Sequence, residues 1–198
     1  VSLVLPVATA SAGFVAFTDR SSWEAAGGSL VGAEDFNSFA SDTSFGPGSP
    51  IGLGGGMTIT TLVSGSSPNF IDAPPPDSGG AYTIDGTSSV VATTGEVTSG
   101  IVPVTPLLQF STPVTAFGGD FDQIQDGFMR TEVQLFNGAA LLATLTPPLL
   151  PGSIVRFWGF ASDSGELVTE VRFNQIGTFD VFGMDNIEIR SSTASAVP

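Results

Sequence analysis

Arg130–Thr146 reads RTEVQLFNGAALLATLT, two apolar-rich runs on either side of Asn137-Gly138. Asn and Gly both tolerate positive φ, so this pair predicts a tight hairpin turn of the primed type between two strands, Arg130–Phe136 and Ala140–Thr146. Leu107–Ser111, Val114–Phe121, Ile154–Ala161, Leu167–Asn174 and Phe179–Arg190 read the same way. In Leu167–Asn174 the odd positions Leu167, Thr169, Val171 and Phe173 share one face and the even ones the other. Upstream, Phe14–Thr18, Leu30–Phe36 and Met57–Val63 are further strands, and Tyr82–Ile84 and Ser88–Ala92 are short candidates. A short helix is expected over Asp19–Ala26, where Ser21 and Glu24 have capping-box spacing and Gly27-Gly28 supplies a stop. Ser38–Gly56, rich in Gly, Ser and Pro, reads as a long loop.

Composition agrees with strands. The 198 residues are 41% hydrophobic and 12% charged, with 16 Phe, 25 Gly and 14 Pro, a profile of many short strands joined by turns. So many strands in one domain must close on themselves or stack. The expected fold is all-β: a jelly-roll-like β-sandwich of about ten antiparallel strands with one short N-terminal helix, and with the N-terminal strand beside the last.

Val1–Ala12 (VSLVLPVATASA) is apolar and closes on Ala10-Ser11-Ala12, the pattern at the end of a secretory signal peptide. Residues 1–12 are therefore expected to be a signal-peptide remnant, 13–190 a single β-sandwich domain, and 191–198 a low-complexity tail leading to a sorting signal. The net charge is −14, from 19 acidic residues against five arginines. Nucleic acid is not an expected partner, because phosphate binding needs clustered cations. The chain has no His, Cys or Lys, which removes Ser-His-Asp and Cys-His catalysis, Schiff-base chemistry and zinc sites built on His or Cys.

The ordered motifs FTDRSSWEAAGG, EDFNSF, PVTAFGGDFD, VQLFNG, FWGFASDSGELVTEVRF and FDVFGMDNIEI resemble the globular domain common in PEP-CTERM proteins, and the SSTASAVP tail is similar to the spacer before their sorting signal. That resemblance spans roughly Phe14–Arg190. It implies export by a Gram-negative bacterium to the cell surface or extracellular matrix, processing by an exosortase-type system, and association with exopolysaccharide.

The carboxylates that matter most are Glu34, Asp35 and Asp185. By strand alternation Asp185 is in phase with Ile187 and Ile189, pointing to the core side, and Glu34 is in phase with Leu30 and Phe36. If the strands carrying them are neighbours, the carboxylates converge with backbone carbonyls into a hard-oxygen site suited to a structural Ca²⁺. Jelly-roll carbohydrate-binding and adhesion modules with a similar layout hold such an ion. The competing reading has Asp185 cap a turn through backbone N–H groups while Glu34 meets Arg172 or Arg190. Asp120, Asp122 and Asp126 read as a solvated strand end, because Gln125 replaces the obligatory glycine of an EF-hand loop.

Trp158 is expected in the core and Trp23 is expected to plug the helix onto the sandwich. Phe70 and Tyr82, flanking the proline-rich segment, are the candidate ligand rim. The expected function is therefore non-enzymatic: binding or structuring extracellular polysaccharide, with self-association open. A glycosidase using a carboxylate pair and a self-assembling fibre subunit are the alternatives.

Overall fold

The computed structural model describes residues 13–63, 69–73, 84–96, 104–125, 131–149, 155–175 and 179–192. The elements run β1 Phe14–Phe17, α1 Arg20–Gly27, β2 Ser29–Glu34, β3 Thr43–Ser44, β4 Ile51–Gly52, a 3-10 turn at Gly54–Gly56, β5 Met57–Thr61 and β6 Phe70–Asp72. They continue as β7 Ser89–Glu96, β8 Pro106–Val114, β9 Ala116–Asp122, β10 Thr131–Asn137, β11 Ala140–Leu145, β12 Arg156–Ser162, β13 Val168–Gln175 and β14 Phe179–Ser191. One sheet has the order β1-β12-β9-β14-β7-β6-β3, with β2 also on β14; the other has the order β11-β10-β13-β8-β5-β4.

Side chains from both sheets meet in one core. Phe14, Phe117, Phe121, Trp158, Phe160, Phe182 and Ile187 come from the first sheet, and Ile59, Leu108, Leu135, Val171 and Phe173 from the second. Phe173 lies 5.1 Å from Phe182 and 6.0 Å from Phe121, ring centre to ring centre, so aromatic rings bridge the layers. The described residues form an all-β antiparallel sandwich with one α-helix, as the hairpin and the alternating runs predict.

Several details depart from the expectation. Among the described residues there are fourteen strands rather than about ten, in part because Ser38–Gly56 holds β3, β4 and the 3-10 turn. The N-terminal strand β1 pairs with β12; the last strand lies between β9 and β7 and also pairs with β2. The helix cap is Asp19, not Ser21: its Oδ1 accepts the Ser22 N–H at 2.9 Å and both neighbouring hydroxyls. In the β10–β11 hairpin Asn137 pairs with Ala140, so Gly138 and Ala139 are the central residues. Only Gly138, at φ 57°, is in the positive region, the requirement of a type II′ turn. In β13 a register shift between Val168 and Glu170 breaks the alternation, which is how Val168 and Val171 both reach the core while Leu167 stays exposed.

Helix α1 covers the outer face of the larger sheet. Trp23 is fully buried, donates from Nε1 to the Phe160 carbonyl at 2.9 Å, and packs 5.3 Å from the Phe157 ring. Phe157 thus faces the helix while Trp158 faces the core, and both sides of β12 are apolar for that reason. No helix among the described residues is long and apolar enough to cross a membrane.

Candidate functional site

β14 carries its informative residues across a bulge. Asp185 pairs with Asp120 and Glu188 with Gly118, so Asn186 and Ile187 together oppose Gly119. Asn186 takes φ 48°, a left-handed conformation that Asn tolerates better than most residues. The extra residue reverses the side-chain phase. Phe182 and Met184 enter the core before the bulge, and Ile187 and Ile189 after it. Asp185 therefore does not share the face of Ile187, which corrects the expectation that it points to the core side. It lies on the outer face with its cross-strand partner Asp120.

Glu34 pairs with Ile187 across β2 and β14 and turns the other way. Its Oε1 accepts the Phe36 N–H at 2.9 Å and its Oε2 the Gly54 N–H at 2.7 Å. This carboxylate ties β2 to the 3-10 turn, where Gly32 and Gly55 approach so closely that a Cβ on either would strike the other's backbone. Neither Arg172 nor Arg190 is its partner. Arg172 serves Glu170 and Arg190 serves Glu188 and Glu24. Glu34→Gln should destabilise the fold by about 1–3 kcal/mol, because an amide can accept from only one of the two N–H groups; a urea midpoint indistinguishable from wild type would refute that clamp.

Asp185 is wholly buried. Its Oδ1 accepts the Asn186 N–H at 2.6 Å, while its Oδ2 has no hydrogen-bond partner. Burial pushes the carboxyl up to about 7; the Asn186 N–H opposes the rise, and the charges of Asp85, Asp120 and Asp35 add to it. The turn-capping reading of Asp185 thus accounts for one oxygen and leaves the other. Asp35 accepts the Asn37 N–H at 3.1 Å.

Asp85 and Asp120 belong to this end of the molecule, and no sequence pattern marks either role. Asp85 accepts the Thr87 N–H at 3.0 Å, and the Thr87 hydroxyl and the Asn186 side chain help hold its carboxyl below the usual range. Asp120 is not a free solvated strand end. Arg20, on the first turn of α1, reaches it at 3.1 Å, bonds Glu188 at 2.9 Å and donates to the Asn186 carbonyl at 3.2 Å. Asp122 is buried, and Asp126 lies outside the described residues. Among the described residues, no three acidic side chains stand close enough to share a metal ion.

A separate groove of about 470 Å³ crosses the smaller sheet, lined by Thr58, Gln109, Ser111, Thr169 and Glu170 between Gly56 and Gly138, with Phe110, whose ring is buried in the core, at its floor. Glu170 is buried, accepts from Gln109 Nε2 at 2.9 Å and from Arg172 Nε, and Arg172 lies 3.9 Å over the Phe136 ring. Paired in this way, the one acid of the lining is neutralised locally and its polar neighbours are held in place. Phe70, one of the two rim candidates, is half-buried on β6, away from this groove, and Tyr82 lies outside the described residues. No aromatic ring is among the large apolar side chains exposed in the described residues.

No family model matches this chain, and no curated protein is similar enough to count as a relative.

Proposed function

We propose that this chain is a non-enzymatic, exported surface or matrix protein that binds or structures extracellular polysaccharide. The observation that carries the reading is the groove on the smaller sheet. Its lining offers hydroxyls, an amide and backbone groups around a locally neutralised Glu170–Arg172 pair. Such a surface donates and accepts hydrogen bonds without a net charge, which suits a neutral glycan. An acidic glycan would meet the repulsion of a chain at −14. Without exposed rings, recognition would rest on hydrogen bonds to sugar hydroxyls rather than on stacking. The PEP-CTERM resemblance supports the extracellular setting.

Affinity electrophoresis in gels carrying neutral or acidic polysaccharides tests this. Wild type should be retarded by at least one neutral polysaccharide, and Thr58→Trp, which fills the groove from a strand position, should weaken retention about tenfold or more. No retardation by any polysaccharide would overturn the reading.

Self-assembly is the second reading, favoured by Leu30 and Val31, which stand 55% and 39% exposed on β2. Light scattering of a concentration series separates the two, since an assembling subunit grows in mass and a binding module does not. The catalytic alternative draws on the raised carboxyl of Asp185. That side chain is sealed from solvent, and Glu34 and Glu188 in the adjoining cleft have both oxygens engaged. Release of reducing sugar in the same experiments would replace binding by catalysis.

A further inference from the structure

We infer that the outer end of β14 is a divalent-cation site of the Ca²⁺ type, with Asp185 and Asp85 as its protein carboxylates and Asp120 and Asp35 as its supporting charge. This goes beyond the glycan reading and does not depend on it. The Asp185 Oδ2 is the primary observation: a buried carboxylate oxygen without any hydrogen-bond partner. Leaving such an atom unpaired costs the full desolvation of the group, so a folded protein retains it where something else completes it.

The surroundings say what that is. Three further aspartates raise the local negative charge, and only one of them, Asp120, has a guanidinium against it. Asp85 comes from a different part of the chain, the turn before β7, yet shares Asn186 with Asp185. An ion between Asp185 and Asp85 would therefore join that turn to the β14 bulge. With no His or Cys in the chain, every available donor is oxygen, the choice of a hard cation.

The ligand set differs from Glu34, Asp35 and Asp185. Glu34 is excluded because it faces the opposite side of the sheet and both its oxygens already accept backbone N–H groups. Asp35 contributes charge. Two carboxylates, supplemented by carbonyl oxygens and water, make a weak site, with affinity of order 10⁻⁴–10⁻³ M as in extracellular modules. That fits an ion acting as an extracellular clamp.

The test is thermal unfolding of the intact chain without polysaccharide, in EDTA and across a Ca²⁺ series, with NaCl of equal ionic strength as control. Wild type should gain about 3–10 °C near 10 mM Ca²⁺ over the matched NaCl sample. Asp185→Asn and Asp85→Asn should each lose that gain, and Glu34→Gln should keep it. Asp85→Asn serves alone if Asp185→Asn does not fold, since Asp85 sits in an exposed turn. A wild-type response equal to that in NaCl, or an undiminished response in Asp85→Asn, would overturn the site. Because no glycan is present, either result leaves the groove reading to its own experiment.

Discussion

Trp23→Ala should lower stability by about 3–5 kcal/mol, the usual cost of deleting a fully buried aromatic. The indole does three things at once: it fills the space between α1 and β12 against Phe157, it donates its N–H to the Phe160 carbonyl, and it lies 5.2 Å below the Arg190 guanidinium. The space is shaped to it. A Cβ on Gly118 would come within 3.0 Å of Trp23 and 2.7 Å of Phe157, so that glycine leaves room for the two rings. Trp23→Phe retains much of the ring contact and loses the donor and part of the buried ring volume, for which about 1–3 kcal/mol is expected. Urea midpoints of the two variants order these contributions. A loss below about 1 kcal/mol in Trp23→Ala would mean that the helix is not anchored through this residue.

The second large effect is a pH dependence with an unusual sign. In the folded chain the Asp185 carboxyl titrates at about 7, against 3.8 for an ordinary aspartate. Between those values the folded protein holds a proton that the unfolded chain has released. Stability from this group is therefore complete below about pH 4 and is lost as pH rises through about 7. The size is roughly 2–4 kcal/mol, from the separation of the two titrations. Asp85, Asp120, Asp35, Arg20 and Glu188 face or border this carboxyl. Asp85 and Asp19 are shifted downward, so their own pH dependence falls below that window and does not obscure it. Urea unfolding in EDTA at about pH 5 and pH 8 should show the fall, and Asp185→Asn should abolish it. Equal stability of wild type at both values would contradict the assignment.

These two residues also show what was readable in the chain. Trp23 sits in a short amphiphilic stretch between a cap and two glycines, and its role as the helix plug follows from local pattern. The sandwich itself follows from alternation in the long strands and from the Asn137-Gly138 hairpin. Strict alternation misplaces Asp185, because the bulge at Asn186 shifts the odd–even phase by one residue. The register slip between Val168 and Glu170 in β13 shifts the phase in the same way. Asp85 is not legible in the sequence, because it lies in a turn without periodicity and only the folded chain brings it to Asn186. Local pattern makes Arg20 part of a helix start; its service to Asp120 and to Glu188, 168 positions away, is a tertiary fact.

The cation site and the pH dependence both turn on the state of one carboxyl group, that of Asp185. Carbon-detected NMR titration of the Asp185 side chain in EDTA should give a midpoint near 7, well above the ordinary 3.8, and addition of Ca²⁺ should drive the group to its ionised form at lower pH. A midpoint near 4, unmoved by Ca²⁺, would show an ordinary satisfied carboxylate and would remove both the cation site and the pH dependence.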